Sequence, residues 1–165
     1  MEELFYTYFL SPLGEIEIKY NNEFIYAFHF MKEGAAKRNE AENEITLIKE
    51  ARKQLNNYFE GNLKEFDLPL QMEGTEFQKK VWTELTTINF GKTLSYLTLA
   101  KQLGDEKCIR AAASANGKNP FAIVIPCHRV IGTNGNLTGY AGELWRKQWL
   151  LEHEAKVCGT YQKLF

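Results

Sequence analysis

Cys127 and His128 are the adjacent side chains of this 165-residue chain best suited to nucleophilic chemistry. A thiol with a pKa of about 8.5 is only a few per cent thiolate at neutral pH, so a nucleophilic cysteine needs a base or a positive charge nearby. Residues 121–125 are apolar and precede Pro126, a pattern that predicts a short buried strand ending at the thiol. Because neighbouring side chains on a strand point in opposite directions, contact between Cys127 and His128 requires a turn after Pro126 or a bridging water.

A Cys-His dipeptide on its own is compatible with other interpretations. The cysteine can be a small buried hydrophobic residue beside a structural histidine. It can also be the nucleophile of a hydrolase that acts on small molecules, which needs an oxyanion site and turns over repeatedly. The elements around the dipeptide therefore matter to its interpretation.

The segments before this dipeptide are predicted to be helical. Thr75 opens a capping-box pattern at the start of one helix. Ser95 caps a short helix over residues 96–103, and a second helix runs from about residue 105 to 115. Two short helices around a glycine turn form a helix-turn-helix pattern, which is typical both of DNA-binding modules and of helical hairpins in ordinary cores.

A hairpin and a long helix follow the dipeptide. Asn134-Gly135 is typical of a two-residue hairpin turn. The apolar side chains of residues 143–154 predict a final helix. Helices combined with a hairpin indicate a winged-helix-like arrangement.

The N-terminal segment is predicted to be a strand meander followed by a helix. Its apolar and aromatic patterns predict strands over residues 4–10, 15–20 and 23–30. A polar loop and a helix over residues 45–59 follow. The fold class is therefore α/β (α+β), with a small sheet-plus-helix domain over residues 1–72 and a winged-helix-like domain with a helix-turn-helix over residues 73–165.

Composition excludes several classes of protein. The chain is 44% hydrophobic and 25% charged, so it can bury a core and is not intrinsically disordered. Its apolar runs fall far short of the roughly 20 residues that cross a bilayer, and its acidic N-terminus is unlike a secretory signal. Three widely spaced cysteines without a C-x-x-C pair argue against a disulfide framework or a four-ligand zinc site. We expect a soluble cytoplasmic protein without a metal.

Charge is distributed unevenly along the chain. Residues 1–70 contain 13 acidic and 8 basic side chains, whereas residues 71–165 contain 8 acidic and 12 basic ones. This asymmetry favours a C-terminal domain that faces a polyanion, although a chance scatter of surface charge gives the same numbers.

Four motifs in the C-terminal half occur together. They are Asn-Pro at 119–120, Pro-Cys-His-Arg-Val at 126–130, Gly-Tyr at 139–140 and Trp-Leu-Leu-x-His-Glu at 149–154. With these motifs the chain resembles the O6-alkylguanine-DNA alkyltransferases, also called methylated-DNA–protein-cysteine methyltransferases. Residues 1–70 contain none of these motifs and resemble only the general character of the variable α/β N-terminal domain of this family.

The resemblance implies direct repair of O6-alkylguanine in DNA by irreversible, stoichiometric transfer of the alkyl group to Cys127, without a cofactor. It implies that His128 takes the thiol proton through a water, that Glu154 orients His128, and that Tyr96 donates a hydrogen bond to the leaving guanine. The sequence does not decide whether O4-alkylthymine is a second substrate. A competing class, the alkyltransferase-like proteins that bind the base without chemistry, lacks the acceptor cysteine.

The resemblance also implies how DNA is recognised. A base inside a duplex must be flipped out before its oxygen can reach a buried thiol. The implied DNA-binding residues are Arg110 as the finger that fills the vacated stack, Ala111 and Ala112 as its small neighbours, Ser95, and Asn119 as a hinge. The implied base-pocket residues are Val130, Tyr140, Ala141 and Gly142. The implied partner is double-stranded alkylated DNA, bound through its minor groove by a monomer, with no membrane partner.

Overall fold

The structure is a computed structural model that describes residues 2–140 and 142–160, and the chain divides into two compact units. The first unit runs to Glu73 and also contains Pro120–Val124. The second unit comprises Gly74–Asn119 and the described residues from Ile125 onward. Residues 120–124, which the sequence places in the C-terminal domain, thus pack with the first unit.

The first unit contains the predicted meander and one helix. Strands β1 (Phe5–Ser11), β2 (Gly14–Tyr20) and β3 (Ile25–Phe30) form an antiparallel sheet in the order β1-β2-β3. Helix α1 (Thr46–Phe59) follows a polar loop. The helix buries one face at a three- and four-residue spacing, namely Ile48, Ala51, Leu55 and Tyr58. The chain leaves the helix at Gly61, whose φ of 83° lies in the left-handed region that glycine tolerates.

The strand predicted over residues 121–125 does not form. Phe121 makes only an isolated parallel bridge with Phe28 of β3. Ile123 has a φ of 70°, which no extended run can contain and which a β-branched side chain rarely adopts. The prediction was wrong because a short apolar run has the same hydrophobic signature in a buried turn as in a buried strand.

The second unit is mainly helical. Its elements are α2 (Glu76–Leu85), β4 (Leu94–Ser95), α3 (Tyr96–Gln102), α4 (Ile109–Gly117), β5 (Val130–Ile131) and α5 (Leu144–Val157). The capping box predicted at Thr75 is present, with hydrogen bonds in both directions between Thr75 and Gln78. A 3-10 turn over Glu106–Cys108 leads into α4, so α3 and α4 form the predicted pair of short helices.

The hairpin predicted at Asn134-Gly135 is a turn without a second strand. The Gly132 N–H donates to the Asn136 carbonyl at 2.8 Å, and Gly135 has a φ of 84°. Strand β5, which precedes this turn, pairs in parallel with β4. The segment that follows the turn is therefore a loop rather than a strand. Among the described residues, no helix is long and apolar enough to span a membrane.

Candidate active site

A single 3-10 turn, Cys127–Arg129, carries the reactive thiol. The Cys127 N–H donates to the Ile125 carbonyl at 2.8 Å, and the Arg129 N–H donates to the Pro126 carbonyl at 3.0 Å. The backbone therefore turns after Pro126, which is one of the two ways in which Cys127 and His128 can interact. Because the backbone turns here, the two side chains are not forced to opposite faces as they are on a strand.

Asn119 ties the end of α4 to this turn. Its Nδ2 donates to the Ile125 carbonyl at 2.8 Å, and its side chain also hydrogen-bonds Cys127. Asn119 is buried, so it holds the turn from the inside and presents almost no surface to a ligand.

The thiol of Cys127 is buried, with 6% of the residue exposed. Burial raises the pKa of the thiol above its ordinary value, whereas the hydrogen bond from Asn119 and the charge of Lys147 lower it. The net direction is upward, so Cys127 is a protonated thiol at neutral pH. Nucleophilic attack therefore requires a group that takes the proton.

His128 is fully buried and faces Glu154, with 2.6 Å between Nε2 and Oε2. An ionised carboxylate only accepts hydrogen bonds, so Nε2 carries a proton and Nδ1 is the free base position of the neutral ring. Burial lowers the pKa of His128 below its ordinary value, and this effect exceeds the opposing effect of Glu154. Nδ1 has no hydrogen-bond partner in the described part of the chain. The arrangement thus holds a neutral imidazole with one open acceptor.

Glu154 is a fully buried carboxylate with several donors, not a solvated helix end. Arg129 donates to it from Nε at 2.8 Å and from Nη2 at 3.1 Å, and the Gly91 N–H donates at 3.1 Å. Burial raises the pKa of Glu154, but His128 and Arg129 together lower it well below its ordinary value. Glu154 is therefore ionised at neutral pH.

Tyr96 is the first residue of α3 and is 8% exposed. The Ser95 side chain caps this helix by accepting from the Thr98 N–H at 3.0 Å. The Tyr96 hydroxyl donates to the Thr138 carbonyl at 3.3 Å. Burial raises the pKa of Tyr96, so the hydroxyl keeps its proton at neutral pH.

Lys147 is a charged neighbour of the thiol that the sequence analysis missed. It is fully buried on α5, its Nζ donates to the Thr138 carbonyl at 2.7 Å, and it lies 5.7 Å from the centre of the Tyr96 ring. Burial lowers its pKa to about 8, so it is still mainly an ammonium ion at neutral pH. Its place on the same helical stripe as Leu150, Leu151 and Glu154 is the signal that could have identified it.

Asn116 is a second buried polar residue of the site that was not predicted from the sequence. Its Nδ2 lies 3.4 Å from the Cys127 carbonyl oxygen and 3.5 Å from the Tyr96 hydroxyl. The side chain thus stands between the thiol turn and the tyrosine, on the buried face of α4.

A cavity of about 420 Å³ opens beside Tyr96, whereas Cys127 and His128 are not among its lining residues. Its lining residues are Tyr96, Ile109, Arg110, Ala113, Thr133, Thr138 and Gly139. Such a volume is typical of a small-molecule pocket. Of the residues expected to form the base pocket, Val130 is fully buried in β5, and neither Val130, Tyr140 nor Gly142 lines this cavity. Ala141 lies outside the described residues.

Helix α4 presents Arg110 and Ala111 to solvent. Ala112, expected to contact DNA with them, is fully buried. Helical phase explains this difference in exposure, because Ala112, Ala115 and Asn116 form the inward stripe of α4 and residues 110 and 111 lie outside it.

Comparison with known proteins gives the same family from sequence and from structure. The family model described as the 6-O-methylguanine DNA methyltransferase DNA-binding domain matches residues 76–156, and its ribonuclease-like domain matches residues 4–72. A methylated-DNA–protein-cysteine methyltransferase of Methanosarcina acetivorans is 46% identical over 92% of this chain and 98% of its own. The crystal structure of Mycobacterium tuberculosis OGT in complex with DNA has a TM-score of 0.84 and 39% identity over 92% of this chain and 93% of its own.

Proposed function

The chain belongs to the 6-O-methylguanine DNA methyltransferase family, and on that premise we propose that it repairs DNA by transferring an alkyl group from O6 of guanine to Cys127. The transfer is irreversible and occurs once per molecule, because a thioether offers nothing to hydrolyse. Cys127 is both the nucleophile and the final acceptor.

The observation that carries this proposal is a buried thiol next to a buried, neutral imidazole whose second nitrogen is held by a carboxylate. His128 accepts the proton of Cys127 at Nδ1 through a bridging water. The imidazolium that forms is stabilised by Glu154, which is already ionised. This is the nucleophile, base and orienting group of covalent catalysis.

The displacement itself is in line. The sulfur of Cys127 attacks the alkyl carbon, the sulfur–carbon bond forms as the carbon–oxygen bond breaks, and the electron pair of the broken bond remains with guanine. Guanine takes up a proton that balances the one lost by the thiol. The Tyr96 hydroxyl is protonated at neutral pH and donates to the Thr138 carbonyl in the free protein. When the base is bound, it donates instead where negative charge develops on the leaving guanine.

The cavity beside Tyr96 receives the flipped base. Arg110 lines this cavity and is exposed on α4, a position from which its side chain can fill the space that the base leaves in the duplex. The small side chain of Ala111 lets this helix approach the floor of the minor groove. We further propose that the protein acts on DNA as a monomer.

Incubation with duplex DNA that contains radiolabelled O6-methylguanine tests this function. We expect one label per chain, on the peptide that contains Cys127. Binding without label transfer would indicate a DNA-binding module without chemistry. Release of a labelled small molecule over repeated turnovers would indicate a hydrolase.

A further inference from the structure

Arg129 contacts Glu154, the carboxylate partner of His128. No step of the proposed reaction uses this arginine. Its guanidinium is buried, with 6% of the residue exposed. Nε and Nη2 donate to the two oxygens of Glu154 at 2.8 and 3.1 Å, while Nη1 donates to the Ile88 carbonyl at 2.6 Å. A buried bidentate pair of this kind fixes the carboxylate in both position and plane.

The guanidinium of Arg129 offsets the charge of Glu154 directly, whereas the Lys147 ammonium donates to the Thr138 carbonyl. The groups that act on the His128 ring are Glu154 and Lys147 from α5 and Arg129 from its own turn. A buried carboxylate whose partner was the imidazole alone would favour a protonated ring, as an opposite charge at hydrogen-bond distance does. A protonated ring cannot accept a proton from the thiol. With Arg129 present, the negative charge of Glu154 is offset before His128 takes up any proton.

We propose that Arg129 is a positioning residue for the alkyl transfer, which holds the Glu154 carboxylate against His128 and offsets its charge so that the imidazole stays neutral until it receives the thiol proton. This inference rests on the proposed function. Arg129 acts through Glu154, to which its guanidinium donates.

The test compares Arg129→Met, which removes the charge at similar length, with Arg129→Lys, which keeps it. The chain has three histidines, so the ring proton signal of His128 can be assigned in NMR spectra with His29→Gln and His153→Gln variants. In Arg129→Met, we expect the midpoint of the His128 titration to rise by about one pH unit or more. Arg129→Lys should keep the midpoint near that of the unmodified protein.

Label transfer measured against pH should follow the same order. In Arg129→Met, the acid-side loss of rate should move to higher pH by the same amount, so that the rate at the midpoint of the unmodified protein falls about fivefold or more and returns in alkali. A purely structural residue would instead lower the rate equally at every pH. Thermal melts establish that each variant is folded at the assay temperature.

Three results would overturn the inference. They are an unchanged His128 midpoint in folded Arg129→Met, a pH-independent loss of rate in that variant, and a His128 that is protonated at neutral pH in the unmodified protein. The last measurement needs no Arg129 variant, so it can overturn the inference even where Arg129→Met does not fold. Failure of the proposed function is separate, because the unmodified protein would then transfer no label while the NMR titration could still be read.

Discussion

Lys147 and Glu154 lie two turns apart on the buried face of α5, and each serves a different part of one site. The ammonium of Lys147 lowers the pKa of Cys127, whereas the carboxylate of Glu154 holds His128 at 2.6 Å. One helix thus supplies a positive charge to the nucleophile and a negative charge to the base. Substitutions at Lys147 and at Glu154 therefore affect the nucleophile and the base separately.

Replacing the acceptor should abolish transfer without abolishing binding. In Cys127→Ser, we expect no label on the protein and retained affinity for duplex DNA, because a hydroxyl is a far weaker nucleophile than a thiolate. Cys108→Ala and Cys158→Ala, which alter the other two free thiols, serve as controls and should transfer label normally. Peptide mapping checks the site, and label on a peptide with Cys108 or Cys158 would refute the assignment.

Arg110→Ala should impair repair of duplex DNA far more than reaction with free O6-benzylguanine, because only the duplex must be unstacked. Extrusion of a base costs a few kcal/mol, so the loss on the duplex should reach about tenfold or more. Arg110→Lys keeps the charge but not the planar guanidinium and should give an intermediate loss. Rates with both substrates check this, and equal losses on the two would show that Arg110 does not fill the stack.

Tyr96→Phe should slow the reaction with both substrates alike. Removal of one donor at a site of developing charge costs about a hundredfold in rate. The equal effect on duplex and free base distinguishes Tyr96 from Arg110. Tyr26→Phe, in β3 of the first unit, is the matched control, and a Tyr96→Phe rate equal to that control would exclude the hydrogen-bond role.

Lys147→Met should raise the pKa of the Cys127 thiol and slow transfer at neutral pH. Because the pKa of Lys147 is itself lowered to about 8, its help should be present below that pH and fade above it. A change of one unit in the thiol pKa corresponds to about a tenfold change in thiolate. Single-turnover rates with free O6-benzylguanine against pH measure this, with the exposed Lys101→Met as control. A constant ratio between variant and parent rates across pH 7 to about 9.5 would argue against it.

Glu154→Gln should move the acid-side loss of rate to lower pH and reduce the plateau. The Glu154 carboxylate raises the pKa of His128, so removing its charge lowers that pKa further below 6.5, and the base stays unprotonated to lower pH. The plateau falls because the imidazolium formed during transfer loses its counter-charge. Label transfer against pH checks both effects.

The same substitution leaves Arg129 buried without a charged partner, so the free energy of unfolding should fall by about 3–5 kcal/mol. Glu152→Gln on the same helix, which is not part of the site, should change it by under about 1 kcal/mol. In the unmodified protein, ionised Glu154 contributes stability above the ordinary carboxyl pKa near 4.5 that is lost as pH falls through the depressed pKa of the folded state. Superimposable rate profiles and equal stabilities of the two variants would remove Glu154 from the relay.

The amino-acid sequence alone determined what depends on neighbours along the chain. The capping box at Thr75 and the three strands of the meander follow from side-chain chemistry and periodicity within a few residues. The motif that contains Cys127 and His128 is likewise contiguous, which is why it could be found and assigned a chemistry.

Tertiary structure decided what depends on which face of each element is covered. Arg129 meets Glu154 across 25 residues of chain, and Ala112 turned inward because α4 packs on that side. Burial keeps His128 neutral and lowers the pKa of Lys147, whereas contacts with His128 and Arg129 keep Glu154 ionised. Both effects depend on packing between several elements. A local pattern names the residue that reacts, but desolvation and long-range ion pairs set its protonation state, and these exist only in the folded chain.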